Sequence, residues 1–164
     1  MTTIAGLGEL GDVLVDTNLL LVFVVGAVAP DRIATFKRTN AYTASDFDLL
    51  TTILGRARRV VVTPHVMTEV SNLAGQLQPN LRYAAFTVIK GLAPRCEERA
   101  PSTADVVAEP LFLRLGLTDA AIARSARGDL TVLTDDLDLY LTLSQAGARV
   151  FNFTHVRAGA WGRR

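Results

Sequence analysis

Between Val13 and Ala29 the chain runs VLVDTNLLLVFVVGAVA, almost wholly apolar but carrying Asp16 and Asn18 near its start. A membrane-spanning helix needs about 20 predominantly apolar residues, and an aspartate near its centre costs roughly 2.5–3.5 kcal/mol. The run is too short and too polar at its front for a span. No basic flank followed by an apolar core and a small-residue cleavage site precedes it, so no secretory signal is expected. What fits is a buried strand, Asp12 to Asp16, that passes into a buried helix continuing through Leu19 to Val25. Asp16 then lies at the junction. An acid between two apolar elements is strongly disfavoured by desolvation unless something satisfies it.

Beyond that junction the punctuation marks alternating elements. Thr43-Ala-Ser-Asp46 has capping-box spacing, with Asp in place of Glu, and opens a helix through Leu54. Arg59 to Val62 reads as a buried strand. Thr63-Pro64 is a helix start, and Val66, Met67, Val70, Leu73 and Leu77 supply its apolar stripe. Leu81 to Leu92 adds a helix, and the proline-bearing stretch from Ala93 to Pro110 reads as an irregular connection. Thr118-Asp119 caps a helix to about Ala126, Asp129 to Thr134 makes a strand, Asp136 to Gln145 a helix, and Ala148 to Phe153 a last strand.

Short apolar strands alternating with helices call for a parallel sheet covered on both faces: an α/β fold, a three-layer α/β/α sandwich with a central parallel sheet. At 164 residues, nearly half of them apolar, the chain is expected to form one domain over residues 1–164 with a substantial core. The single cysteine, Cys96, allows neither an internal disulfide nor a cysteine metal cluster, which favours a reducing, cytoplasmic setting. A net charge of +1 excludes the overall basic excess of a protein that coats nucleic acid.

In open parallel sheets ligands bind beyond the carboxyl ends of the strands, where strand order reverses. Four acid-bearing motifs are candidates for such a place: Val15-Asp16-Thr17-Asn18, Thr68-Glu69-Val70, Leu117-Thr118-Asp119, and Thr134-Asp135-Asp136. Two unit charges of like sign 4 Å apart repel by about 4 kcal/mol at an effective dielectric of 20, so a carboxylate cluster requires protons or cations. Oxygen ligands without cysteine favour Mg²⁺ or Mn²⁺. Aspartates are also favoured helix caps, so Asp119 and Asp136 could each serve only to accept backbone N–H bonds, and Asp135 only to face solvent. Glu69 lies inside a helix, where capping does not explain it but a solvated face would.

The four motifs in this order resemble the PIN domain, a family of small metal-dependent nucleases, over nearly the whole chain. The amino-terminal strand ends in VDTN, a helix after the next strand carries a glutamate in TPHVMTEVSNL, a late helix opens as GLTDAAIA, and a strand ends as VLTDDLDLY. The resemblance implies a PIN-like fold and metal-binding, catalytic carboxylates at Asp16, Glu69, Asp119 and Asp136. Asn18 and Thr134 would be polar supports. Asp136 rather than Asp135 fits the family's spacing, with Asp138 a further acid in the same segment. The segment Phe36 to Phe47 and the proline-rich connection depart from the short family members.

The implied activity is Mg²⁺- or Mn²⁺-dependent hydrolysis of single-stranded RNA without a side-chain nucleophile. Ser71, Ser125 and Ser144 have no histidine in any nucleophile motif, and His65 and His155 read as ordinary polar residues. Arginines 56, 58, 59, 95, 99, 124 and 127 and the Arg163-Arg164 tail are candidate counter-charges for RNA, or merely solvated charges. Bacterial family members often act as the toxin of a toxin–antitoxin pair, so a small antitoxin-like inhibitor protein and a homodimer are expected partners, and no membrane. Two other readings stand beside this one: a catalytically silent PIN-like binding module, and a receiver-like phosphate-accepting domain. The latter would place paired acids after its first strand and a lysine after a late one, and Lys37 and Lys90 follow no late strand.

Overall fold

A computed structural model describes residues 10–161. The opening run divides as its chemistry demands. Strand β1 (Leu10–Val15) ends at Asp16, which caps helix α1 (Thr17–Val28). Helix α2 (Ala44–Leu54) starts at a complete capping box: Thr43 Oγ1 accepts the Asp46 N–H at 3.3 Å, and Asp46 Oδ2 accepts the Thr43 N–H at 2.8 Å. Strand β2 (Ala57–Val62) leads to α3 (Pro64–Ala74), where Thr63 Oγ1 accepts from the Val66 N–H at 3.2 Å and proline fills the first helical position, which has no N–H to satisfy.

Helix α4 (Pro79–Leu92) begins two residues before the expected start, because Pro79 also suits a first turn. The expected irregular connection contains structure: a short 3₁₀ turn at Ala93–Arg95, strand β3 (Glu97–Glu98) and helix α5 (Thr103–Val107). Helix α6 (Phe112–Leu115) and α7 (Leu117–Ser125) follow. Here the expected Thr118-Asp119 cap is corrected. The cap position belongs to Gly116, whose φ of 85° only glycine adopts readily, so the helix starts one residue earlier without a side-chain cap. Strand β4 (Thr131–Thr134), helix α8 (Leu137–Gln145) and strand β5 (Arg149–Asn152) complete the sheet, and α9 (Phe153–Trp161) continues where the sequence suggested only a strand end.

The five strands are all parallel in the order β3-β2-β1-β4-β5, within a three-layer α/β/α fold. Crossovers step outward from β1 to β2 and β3, then return to β4 on the other side of β1. The order therefore reverses between β1 and β4, and the crevice beyond their carboxyl ends is the expected ligand position. Helix α1 is apolar nearly all round and packs against α2, α3 and α4, which explains how so hydrophobic a segment is accommodated in the core. Among the described residues no helix is long and apolar enough to cross a membrane.

Candidate functional site

Asp16 offsets part of its desolvation with backbone donors. Its Oδ1 accepts the Leu19 N–H at 2.9 Å, satisfying an orphan donor of the first turn of α1, and its Oδ2 accepts the Asp135 N–H at 3.0 Å. The Thr134 hydroxyl also favours the ionised form of this carboxylate. One side chain thus caps a helix and ties together the ends of the two strands that flank the crevice. It is only 4% exposed, and burial first, then the charge of Asp135, push its carboxyl well above the usual carboxylate range.

The residues after β4 divide the work. Asp135 is half-buried and held by two donors, Asn18 Nδ2 to its Oδ1 at 3.4 Å and the Tyr42 hydroxyl to its Oδ2. Burial is the largest cause of its raised pKa. Asp136 is exposed and caps α8: its Oδ1 accepts the Leu139 N–H at 2.8 Å while its own N–H donates to Thr134 Oγ1 at 3.0 Å. Asp135, which the family spacing places second to Asp136, is therefore the acid that couples to Asp16. The charge of Asp136 acts on both Asp135 and Asp119. Asp138 is exposed in the first turn of α8.

Asp119 sits half-buried in the first turn of α7, with no capping bond of its own. Burial first, then the charges of Asp136 and Glu69, push its carboxyl up to about 6. Glu69 projects from α3 and accepts from the Thr17 hydroxyl at 3.2 Å. Electrostatic contact thus runs from Asp16 through Asp135 and Asp136 to Asp119 and Glu69, joining acids from four separate elements. The supports are Asn18 on Asp135 and Thr134 on both Asp16 and the Asp136 backbone. Thr17 lies inside the Val15-Asp16-Thr17-Asn18 motif without being singled out there, and Tyr42 has no signal in the sequence that could have marked it. Tyr42 and Asp135 are 93 positions apart, and Tyr42 lies in the segment Phe36 to Phe47 that departs from the family pattern.

Among the described residues, no three His, Cys, Asp or Glu side chains are gathered closely enough to hold a metal ion as they stand. The donor chemistry nevertheless fits one. Every acid offers hard oxygen, and the causes that shift Asp16, Asp119 and Asp135 include other acids but no arginine or lysine. A divalent ion would replace mutual repulsion with attraction.

The candidate counter-charges are mostly engaged elsewhere. Arg58 and Arg59 both grip the buried Asp12, at 3.0 and 2.6 Å, and Arg59 also reaches Glu97 at 2.7 Å. The two guanidiniums hold the Asp12 carboxyl well below the usual carboxylate range. Arg99 pairs with Glu97 and donates to the Ser125 carbonyl, while Arg124 and Arg127 share Glu109. Arg95 is exposed, and Arg163 and Arg164 lie outside the described residues. A cavity of about 470 Å³ opens beside Glu69, between α3 and α7. The chain matches no protein-family model and no curated protein.

Proposed function

We propose that the chain is a PIN-like, Mg²⁺- or Mn²⁺-dependent endoribonuclease that hydrolyses phosphodiester bonds of single-stranded RNA. One observation carries this reading: acids from four elements converge at the strand-order reversal, and three of them, Asp16, Asp119 and Asp135, are held above their ordinary ionisation range with other acids among the causes. Such repulsion is costly in a protein whose net stability is only about 5–15 kcal/mol, and it is relieved when a cation binds.

Asp16, Glu69, Asp119 and Asp136 would hold the ion, with Asp135 beside them. Bound there, a divalent cation would polarise the scissile phosphate and make water a better nucleophile at neutral pH. The chain's own residues supply orientation. Two backbone N–H groups fix both oxygens of Asp16, Thr17 aims Glu69, and Asn18 and Tyr42 aim Asp135. Displacement by water at phosphorus expels the 3′-oxygen and leaves a 5′-phosphate. A small antitoxin-like inhibitor and a homodimer belong to the same proposal. A silent binding module is the second reading, favoured by the protein donors that already satisfy Asp16, Asp135 and Asp136.

Purified protein should cut single-stranded RNA internally with Mg²⁺ or Mn²⁺, stop on chelation, and leave 5′-phosphate and 3′-hydroxyl ends. Asp16→Asn and Glu69→Gln should each lower cleavage by roughly 10²-fold or more with circular dichroism unchanged. Cyclic 2′,3′-phosphate ends, or cleavage that survives both substitutions and chelation, would refute the mechanism. No cleavage with any metal would favour the silent module.

A further inference from the structure

We propose that the cavity beside Glu69 receives one unstacked nucleobase of the strand whose phosphate lies at the acidic site. The inference rests on the nuclease reading for its substrate, but its chemistry is local. The cavity is lined by Pro64, His65, Thr68 and Asn72 of α3 and by Leu117 and Thr118 of α7, with Glu69 shared between it and the acids. At about 470 Å³ it falls within the about 300–1,000 Å³ usual for small-molecule sites.

Charge decides which part of a nucleotide would enter. Among the described residues no lysine or arginine lines the cavity, and one carboxylate does, so a phosphate would be repelled while a neutral ring would not. The walls combine apolar surface from Pro64 and the exposed Leu117 with neutral donors and acceptors from Thr68, Asn72 and Thr118. That mixture suits a flat heterocycle with polar edges. Single-stranded RNA is commonly read in this way, by bases splayed out against ring side chains and hydrogen-bonded at their edges.

His65 lines the cavity and reports on whatever fills it. Its Nδ1 is buried and has no hydrogen-bond partner, although buried polar atoms are ordinarily paired. The other histidine, His155, instead packs edge-on against Tyr140, with ring centroids 5.4 Å apart. Because Nδ1 is closed to solvent, the rest of the imidazole lines the cavity, and a base filling that space would touch it there.

The chain has only two histidines, so ring NMR signals of histidine-labelled protein can be assigned with one variant, His155→Gln. Each of the four ribonucleosides is titrated into metal-free protein, with inorganic phosphate as the contrast. At least one nucleoside should move the His65 signals while those of His155 and the response to phosphate stay flat. Thr68→Trp and Asn72→Leu, both at exposed positions of α3, should abolish that shift. In cleavage assays either variant should change the relative kcat/KM among substrates differing in the base beside the cut by about tenfold.

A nucleoside shift at His65 in protein that cuts no RNA would uphold the pocket while the nuclease reading falls. Cleavage with no nucleoside-dependent shift at His65, or with base preference unchanged in both variants, would overturn the pocket while the nuclease reading stands. Phosphate alone moving His65 would also overturn it.

Discussion

Replacing Asp119 by asparagine should make the metal-free protein more stable at neutral pH and no more stable in acid. The folded chain raises this carboxyl from 3.8 to about 6, through burial and then through Asp136 and Glu69. At about 1.36 kcal/mol per pKa step, the difference amounts to about 3 kcal/mol of penalty on the native state. Asp119 is partly exposed, so solvent screening reduces this to about 1–2 kcal/mol. Because the folded pKa is raised, the penalty is absent below the unfolded value, grows as pH rises from about 4 to about 6, and is complete above that. Asparagine forfeits the favourable interaction of a carboxylate with the first turn of α7, worth about 0.3–1 kcal/mol. The net gain near pH 7.5 is then about 1 kcal/mol, or about 2–4 °C in Tm for a chain of this size. Urea unfolding with chelator, from about pH 4.5 to about pH 7.5, measures it. Excess Mn²⁺ should reverse the order, since wild type gains more from a bound cation. A difference between the two proteins that does not change with pH, or a variant less stable at neutral pH, would refute the reasoning.

Other expectations concern the supports of the site. Tyr42→Phe removes a hydroxyl that donates to Asp135, so cleavage should fall about tenfold while unfolding free energy changes by only about 1 kcal/mol. Arg157→Ala withdraws the partner 3.2 Å from Asp46, which is 1% exposed but still accepts from Thr43; urea titration should show a loss of about 1–3 kcal/mol. Gly26→Ala should lower stability by about 1–2 kcal/mol despite alanine's better helix propensity, because a Cβ there meets the ring of Phe47. A stabilised Gly26→Ala protein would mean that the Phe47 ring yields freely.

What could be read in the sequence was what local chemistry determines. Thr43 and Asp46 form the box their spacing announces, Thr63-Pro64 opens α3, and the acid in the apolar run lies at a strand–helix junction. Strand β3 escaped because two glutamates present neither alternation nor an apolar run. Helix α9 escaped because Phe153 and its neighbours extended an apolar strand pattern, with no proline to stop it. The division of labour between Asp135 and Asp136 was hidden for a different reason. Adjacent acids look alike in sequence, and only the Tyr42 and Asn18 donors, reached through folding, distinguish them. The fate of most arginines was equally tertiary: Arg58 and Arg59 turn to Asp12 rather than toward the acids.

The sheet order also imposes a timetable. Strand β1 is made early, yet the donor that occupies the second oxygen of Asp16 comes from Asp135, 119 residues later. At about 5–20 residues per second of synthesis, the two halves of the crevice are separated by about 6–24 s during which the central strand waits for its neighbour. A nascent chain arrested before β4 lacks Asp135 and Asp136, and with them the constellation of acids. The acids can assemble only once the residues that follow β4 have left the ribosome.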